Sequence, residues 1–408
     1  MNIGVIAYNS ACNFGANLQL LSTVENVRKR GHSVFVINWI PMTLEQLYLK
    51  KISERQRNEH VKLREKYYNE TELCRTAYDV AEVIKRNNIQ ACIIGSDAVA
   101  QHHPLLSRIH FPSRNIISII KYSEDCIFPN VFWGTFNKYL SKPIPVAILS
   151  SSCQNSPFYL FSSKTKNKMY DLTRSFTYVS VRDDWTQKMY AHVSKGNILP
   201  PITPDPVFGF NMNFNKIPSK QEILEKFGLN EKYILFGLFN NRKASLNWLR
   251  EFSVLSEARG LECVALAFPE GVRFAHPFKK EINIPLSPID WYSLIKYSSG
   301  YIGHNMHPIV VALHNSVPFF SFDNYGISKL GIIANEKSSK IYHILNTAGF
   351  IENRVSDVTL FGKCPSANEV LHKIVTFDSD KCKEFSEYYG EVYQKMMNDI
   401  LSSFKGED

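Results

Sequence analysis

The first forty residues alternate between apolar and polar stretches in the order of a strand–helix–strand unit. Residues 3–8 form an apolar run, and residues 9–17 form a loop of small and polar side chains. Residues 18–30 have the spacing of an amphipathic helix, and a second apolar run covers residues 32–39. Strand, helix and strand in this order predict a parallel α/β sheet.

Three further apolar runs extend this predicted sheet, at residues 91–94, 145–149 and 176–181. The prolines of residues 200–206 indicate a linker, because proline interrupts both helices and strands. We therefore expect a first α/β lobe over residues 1–212.

A charged segment separates the second and third predicted strands. Residues 43–88 are helical in texture, and apolar positions are sparse between residues 50 and 68. A polar helix of this kind usually faces solvent, so we expect a solvated or partly mobile helical insertion. A basic surface that faces a membrane is the weaker alternative.

The same alternation of predicted strands and helices repeats in the second half of the chain. Apolar runs at residues 233–239, 261–268 and 318–322 are separated by helical stretches, which predicts a second α/β lobe over residues 213–380. The remaining residues, 381–408, predict a long helix that packs back across both lobes. Two successive α/β halves are typical of an enzyme whose site lies in the cleft between them.

A polar turn stands between a strand end and an apolar helix in the second half. Its sequence at residues 303–308 is Gly-His-Asn-Met-His-Pro, and His307 lies at the mouth of the helix. In parallel sheets, ligands bind beyond the carboxyl ends of strands, where helix N-termini offer N–H groups. An imidazole there can transfer a proton or bind an anion. The alternative is that His307 caps the helix or satisfies a buried polar group.

Charged side chains follow three other predicted strands. Asp97 follows the third strand, where it is either a base or sugar ligand, or an N-cap. Arg182 follows the fifth strand and either pairs across the sheet edge or binds an anion. Arg242 and Lys243 follow the first strand of the second half, which makes them candidates for binding an anionic substrate.

The loop after the first strand contains Asn13, Gly15 and Asn17. A turn of small residues that leads into a helix can surround an anion or a sugar. The loop lacks the GxGxxG pattern of dinucleotide sites, and Asn38 stands where such a site has an acid. We therefore do not expect a nicotinamide cofactor.

The composition excludes some classes of function. The net charge of +9 is either incidental or suits an anionic substrate or membrane face, whereas no nucleic-acid-binding motif is present. No apolar run reaches the ~20 residues of a membrane span, and no signal-peptide pattern begins the chain. The eight cysteines lack CxxC spacing, which favours a reducing cytoplasm and argues against a zinc site.

Five stretches together resemble the polysaccharide pyruvyl transferase family. The first is the Asn-Phe-Gly-Ala-Asn-Leu-Gln loop, followed by Gly-Ser-Asp, Ser-Val-Arg-Asp and Asp-Pro stretches and by a His before an apolar helix and Val-Pro. Each motif is short, but all five occur in the family's order. They lie at residues 13–19, 95–97, 180–183, 205–206 and 307–318.

The resemblance implies a fold of two Rossmann-like lobes similar to the GT-B glycosyltransferases. It implies transfer of pyruvate from phosphoenolpyruvate to a sugar of a surface polysaccharide or its lipid-linked precursor, usually as a cyclic ketal. It implies no nucleotide cofactor. On this reading the first lobe would bind the acceptor glycan and the second lobe the donor.

The chemistry of this transfer suggests a role for each candidate. His307 is the expected general acid or phosphate ligand, and Arg242 with Lys243 would hold the anionic donor. His304 can share that role, although simple exposure is the more ordinary expectation. Asp97, as acceptor ligand or base, and the loop of residues 13–17 would face the acceptor, and Arg182 either joins the lobes or binds the donor.

One position departs from the family pattern. Asn305 stands where the family has an arginine that is expected to hold the charge of the donor. Asparagine has neither the charge nor the donor fork of a guanidinium. Either another cation takes over, or donor binding is weakened or lost. The rival functions are therefore a GT-B glycosyltransferase that uses a nucleotide sugar, and a non-catalytic relative that binds glycan.

Overall fold

The computed structural model describes residues 1–113, 116–329, 333–358 and 364–405. Its strands are β1 Asn2–Ile6, β2 Ser33–Val36, β3 Ala91–Asp97, β4 Ile109–Ser113, β5 Ile116–Ile119, β6 Val146–Ser151, β7 Tyr178–Val181, β8 Tyr233–Gly237, β9 Glu262–Leu266, β10 Lys280–Ile282, β11 Gly300–Gly303, β12 Phe319–Asp323, β13 Ile327–Lys329, β14 Ile333–Asn335 and β15 Arg354–Ser356. Its α-helices are α1 Phe14–Lys29, α2 Met42–Lys51, α3 Glu54–Tyr67, α4 Ala77–Arg86, α5 Ser163–Arg174, α6 Asp184–Val193, α7 Phe210–Asn213, α8 Lys220–Phe227, α9 Leu246–Glu257, α10 Pro288–Lys296, α11 Met306–His314, α12 Lys340–Thr347, α13 Ala367–Val375 and α14 Ser379–Ser403.

Two parallel sheets organise these elements into two lobes. The first sheet has the order β2-β1-β3-β6-β7, and the second has the order β10-β9-β8-β11-β12-β15. Both are covered by helices, and their central strands are buried and apolar, as parallel sheets require. The predicted α/β class with two Rossmann-like lobes is confirmed, whereas the division of the chain at residue 212 stays a prediction.

Each sheet has one point where the strand order reverses. In the first sheet the reversal lies between β1 and β3, and in the second it lies between β8 and β11. The loops that leave neighbouring strands at such a point run to opposite sides and leave a crevice. The loops after β1, β3, β8 and β11 therefore mark the place where a ligand fits between the lobes.

The charged segment 43–88 is better ordered than its composition predicts. It is helical, as expected, but α3 buries Gln56, His60 and Leu63 on one face. The Gln56 side chain exchanges two hydrogen bonds with the backbone of Leu286 in the second lobe, at 2.8 and 2.9 Å. Most of α3 is solvated, as expected, but a narrow buried stripe also docks this polar helix on the second lobe.

The last helix packs against both lobes, as the sequence predicted. Cys382 lies against the carbonyl of Leu313 in the second lobe, and Met396 contacts Ser150 at the end of β6 in the first. Residues 406–408 of the predicted helix lie outside the described residues. No helix in the described part of the chain combines the length and apolar character that crossing a bilayer requires.

Candidate functional site

A cavity of about 120 Å³ lies between the lobes at the two reversal points of the sheets. The first lobe contributes the start of α1 and the end of β3, and the second contributes the ends of β8, β9 and β11. The cavity is lined by Asn13, Phe14, Gly15, Asp97, Gln154, Gly237, Leu266, Ala267, Phe268, Pro269, Glu270, Trp291, Tyr301, Asn305, His307, Pro308, Tyr325 and Lys340.

The start of α1 forms the first-lobe wall of this cavity. Asn13 is the N-cap, and its Oδ1 accepts a hydrogen bond from the backbone N–H of Ala16 at 3.1 Å. The helix therefore begins at Phe14 rather than at residue 18, and the predicted loop is partly its first turn. Phe14 stacks on Trp291 of the second lobe, with ring centroids 5.3 Å apart, which holds the two walls together.

Gly15 allows the two lobes to approach closely. Its Cα faces His307, and a Cβ placed there would overlap the imidazole ring. The glycine is needed for this contact and not for an unusual backbone angle, since it lies in a regular helix. The imidazole of His307 therefore packs directly against the backbone of helix α1 at Gly15, across the boundary between the lobes.

Gly15→Ala is expected to reduce turnover by about a hundredfold, because a methyl group must displace the His307 ring and small misplacements of catalytic groups cost that much. Gly390→Ala is the matched control. Gly390 is also a helical glycine, but its added Cβ would meet the flexible end of Met212 at 3.2 Å. Steady-state rates of both purified variants test this contact, and full activity in Gly15→Ala would contradict it.

A buried charge network lies behind the first-lobe wall. Arg182 donates to Asp97 Oδ1 at 3.1 Å and to Asp205 Oδ2 at 2.8 Å. Asp205 also accepts from the side chain of Gln19 at 2.5 Å. The network joins four of the five stretches that carry the family resemblance. Of the two interpretations left open for Arg182, the structure favours pairing across the sheet edge.

The network fixes the ionisation state of Asp97. Burial alone would raise the pKa of this carboxyl, but Arg182, His307 and Lys340 outweigh it and lower the pKa to about 2. For Arg182 the pKa is raised, because its carboxylate neighbours outweigh the effect of burial. Asp97 also has a φ of +73°, a conformation that aspartate tolerates and that often occurs at functional sites. A carboxyl with so low a pKa is a weak base.

His307 enters the cavity from the first turn of α11. Its side chain is buried, and its Nε2 has no hydrogen-bond partner among the described residues. Burial lowers the pKa of the imidazole despite the opposing effect of Asp97 and Asp205, while Arg182 and Lys340 lower it further. The ring is therefore neutral near pH 7 in the free protein. An unpartnered buried nitrogen costs stability unless water or a ligand bonds to it, so Nε2 is available to a ligand in the cavity.

Lys340 is a buried cation in the same cavity, and sequence reasoning missed it. It begins α12, whose N-cap Ser339 donates to Asp323 Oδ2 at the end of β12, at 2.5 Å. Its ammonium lies 4.4 Å from the ring centre of Tyr325. Burial lowers the pKa of Lys340 to about 8, although Asp97 acts in the opposite direction. A lysine in the first turn of a helix opposes the helix dipole, and that signal was present in the sequence.

Asn305 and Lys340 line the same cavity. Asn305 occupies the N-cap position of α11, but its side chain makes no capping hydrogen bond. Asn305 therefore brings no charge to the position where the family resemblance predicts an arginine. Lys340 supplies a positive charge to the same space from a different element. Among the described residues, no group of three His, Cys, Asp or Glu side chains is arranged to hold a metal ion.

Three of the predicted donor ligands lie outside this lining. His304 is buried rather than exposed; its Nδ1 accepts from the backbone of Phe239 at 2.9 Å, and its Nε2 lies 3.4 Å from Asp357. Arg242 donates to the backbone carbonyl of Asp357 at 3.2 Å. Lys243 is also absent from the residues that line the cavity. Arg242 and Lys243 lie on the turn after β8, and the Arg242 side chain extends towards the end of β15 and not into the cleft.

Asn17 supports the loop and does not line the cavity. Its Oδ1 lies 2.6 Å from Nδ1 of His60 on α3, and its side-chain nitrogen reaches the carbonyl of Ala11 at 3.4 Å. Gln56 holds the other nitrogen of His60 at 2.9 Å. The polar helix α3 therefore acts as a brace behind the loop, which the sequence pattern did not indicate.

A second cavity, of about 470 Å³, opens beside the first within the first lobe. The two share Asn13, Asp97 and Gln154 in their linings. In the second cavity Tyr8 donates to Asp125 Oδ2 at 3.0 Å, while Asp125 Oδ1 is buried without a hydrogen-bond partner in the described part of the chain. Hydroxyl groups, amides, aromatic rings and a carboxylate suit a sugar better than an apolar ligand.

Comparisons with known proteins identify both a family and a fold. A family profile described as polysaccharide pyruvyl transferase matches residues 13–325. Among solved structures, a UDP-N-acetylglucosamine 2-epimerase has a TM-score of 0.55 at 10% identity, with 100% of this chain and 97% of the other covered. UGT89C1 of Arabidopsis thaliana, complexed with quercetin, has a TM-score of 0.54 at 11% identity, with 99% of each chain covered. At these identities the structures establish the fold alone. No curated protein sequence matches this chain significantly.

Proposed function

Because the chain belongs to the polysaccharide pyruvyl transferase family, we propose that it moves the enolpyruvyl group of phosphoenolpyruvate onto a glycan. The acceptor is a sugar of a surface polysaccharide or of its lipid-linked precursor, and the product is a pyruvate ketal. The observation that carries the proposal is the pairing of His307 with Lys340 in one small interlobe cavity. Transfer from phosphoenolpyruvate requires a group that supplies a proton and a cation that binds its negative charges.

The cavity lining holds one ammonium, Lys340, together with the carboxylates of Asp97 and Glu270, and Arg182 pairs with Asp97 behind the wall. Phosphoenolpyruvate carries a phosphate and a carboxylate, and Lys340 is the cation that would face them. The negative charge of the donor favours the protonated forms of both Lys340 and His307, so their pKa values rise when it binds. Donor binding would thus change His307 from a neutral ring into an acid at the moment when a proton is needed.

The reaction balances with two acceptor hydroxyls. His307 protonates the methylene carbon of the donor, and the central carbon becomes electrophilic. One sugar hydroxyl adds there, and a second hydroxyl displaces phosphate to close the ketal. The two hydroxyl protons replace the proton from His307 and leave with phosphate. Asp97 is too weak a base to remove them, so we assign it to orienting Arg182 and accepting a hydrogen bond from the acceptor.

The first cavity, taken without the adjoining second cavity, is closer in size to a three-carbon donor than to a nucleotide sugar. Its volume of about 120 Å³ is well below the ~300–1,000 Å³ of pockets that enclose drug-sized ligands. A three-carbon donor fits that scale better than a sugar joined to a nucleoside diphosphate. The larger second cavity is available to the acceptor and shares Asp97 with the first.

The test is phosphate release from phosphoenolpyruvate in the presence of a lipid-linked glycan, followed by mass measurement of the product. We expect release that depends on the glycan and a product heavier by one pyruvate minus one water. Thermal denaturation with phosphoenolpyruvate, nucleotide sugars and plain oligosaccharides separates the rival functions. A ligand that binds the folded protein raises its unfolding temperature, and a compound that does not bind leaves it unchanged. Stabilisation by a nucleotide sugar but not by phosphoenolpyruvate would overturn the proposal.

A further inference from the structure

The mouth of the second cavity is bordered by exposed aliphatic side chains. Leu47 of α2 lines the cavity and is 40% exposed. The turn before β4 and the β4–β5 hairpin, which lie in the sequence between the lining residues His103 and Lys121, carry five more, which we call the apolar rim. The apolar rim consists of Leu105, Leu106, Ile109, Ile119 and Ile120, which are 40–68% exposed.

The β4–β5 pairing places two side chains of the apolar rim on one face. Ile109 and Ile119 are paired across the two strands, which places their side chains on the same face. The backbone N–H of Ile120 donates to the carbonyl of Arg108 at 2.8 Å, so the pairing continues to the base of the hairpin. There the chain enters the cavity wall, where the rings of His103 and Tyr122 stack with centroids 4.0 Å apart.

Basic side chains flank this apolar surface. Lys50 and Lys51 are exposed in the last turn of α2, and Lys121 is exposed between the apolar rim and the cavity. Arg108 lies at the base of the hairpin, where its Nε donates to the carbonyl of His103 at 2.8 Å. One acid near this surface, Glu124, accepts a hydrogen bond from Thr43, and α2 and the start of α3 carry Glu45 and Glu54. Exposed aliphatic groups with flanking cations are the combination that binds an anionic bilayer surface.

We propose that the apolar rim and its flanking lysines dock the protein on an anionic lipid bilayer, with the second cavity facing the membrane. The clustered cations favour this occupant over a second copy of the chain, because a symmetric contact would bring like charges together. Docking itself does not depend on the proposed function. Only its consequence does, namely that a glycan carried on a lipid would reach the second cavity directly. The docking surface overlaps the surface that the sequence indicated at residues 50–68 only at Lys50 and Lys51, because α3 buries part of the rest of that stretch.

Sedimentation with vesicles tests the docking. We expect the wild-type protein to bind vesicles of phosphatidylcholine with phosphatidylglycerol at least about tenfold more tightly than vesicles of phosphatidylcholine alone. The triple variant Leu105→Ser, Leu106→Ser, Ile120→Ser is expected to lose about tenfold in that affinity. The control replaces exposed aliphatic residues elsewhere, Leu199→Ser, Val254→Ser and Val375→Ser, and should bind like the wild type.

Two further measurements separate this proposal from its rivals. Turnover of a water-soluble acceptor glycan should be equal in the wild type and the triple variant, so a failure of catalysis cannot be mistaken for a failure of docking. Lys50→Glu with Lys51→Glu should weaken binding to anionic vesicles only. Equal vesicle binding by the wild type and the triple variant would overturn the docking surface. A wild-type dimer in light scattering that the triple variant converts to monomer would likewise assign the rim to a second copy.

Discussion

His307→Gln is expected to lower turnover by about a hundredfold to ten-thousandfold, which is the usual contribution of a positioned proton donor. Glutamine retains polarity and approximate size but cannot supply a proton at neutral pH. The loss should appear in kcat rather than in the binding of phosphoenolpyruvate, because the missing step is protonation of carbon. Steady-state kinetics with a donor titration separates the two quantities.

Replacing His307 with an apolar residue should leave the protein at least as stable as the wild type. Nε2 of His307 is buried without a partner, and removing an unsatisfied buried group recovers part of a cost of about 1–3 kcal/mol. His307→Leu should therefore raise the midpoint of thermal unfolding while it abolishes turnover. A residue that is needed for activity often lowers the stability of the folded protein, so replacing it raises stability while activity is lost.

His314 provides the matched control on the same helix. Its Nε2 accepts from the backbone of Asn211 at 3.3 Å, and its Nδ1 lies 3.3 Å from the hydroxyl of Ser386. His314→Gln should consequently lower stability and preserve turnover, the opposite of the result for His307. A His307→Gln variant that kept more than about a tenth of wild-type turnover would remove this residue from the chemistry.

The sequence was sufficient for the fold because local patterns determine it. The apolar run of β3, the helix α11 and the strand β12 are each recognisable from spacing alone, and their order requires parallel sheets. The same logic placed Asp97 and His307 at the carboxyl ends of strands, one in each sheet, and both line the cavity between the lobes. What each side chain does there stays a prediction.

The site was harder to predict because loops decide which charges reach it. Arg242 and His307 both follow strands of one sheet, yet the Asn240 side chain accepts from the Arg242 backbone at 2.9 Å and turns that loop towards Asp357. Lys340 reaches the cavity only because its helix is anchored on Asp323. No periodicity in the sequence encodes either path.

The second large effect is expected for Lys340, the cation that lines the cavity together with the uncharged Asn305. We expect Lys340→Gln to weaken the binding of phosphoenolpyruvate by about ten- to a hundredfold, the value of a lost hydrogen bond between charged groups. Glycan binding should change little. Calorimetric titration measures the dissociation constant, with Lys337→Gln as an exposed neighbouring control and Arg242→Gln as a test of the cation that the structure places elsewhere.

The pH dependence of donor binding distinguishes a direct charge contact from a structural role. In the free protein, Lys340 loses its proton as the pH rises through about 8. The anionic donor favours the charged form, so binding takes up a proton, and the dissociation constant of the wild type should increase with pH above about 8. Lys340→Gln removes one of the two groups that take up a proton on binding and should reduce this increase, while the contribution of His307 remains.

Restoring the family's arginine should repair the lysine variant. Asn305→Arg returns a guanidinium to the N-cap of α11, next to the space that Lys340 occupied. In the Lys340→Gln background it should recover at least about tenfold of the lost affinity. Because a guanidinium stays charged, the recovered binding should weaken less than wild-type binding as the pH rises above about 8. If Asn305→Arg restored nothing while the double variant remained folded, the two positions would not serve the same negative charge, and the loss of the family's arginine would have to be explained without Lys340.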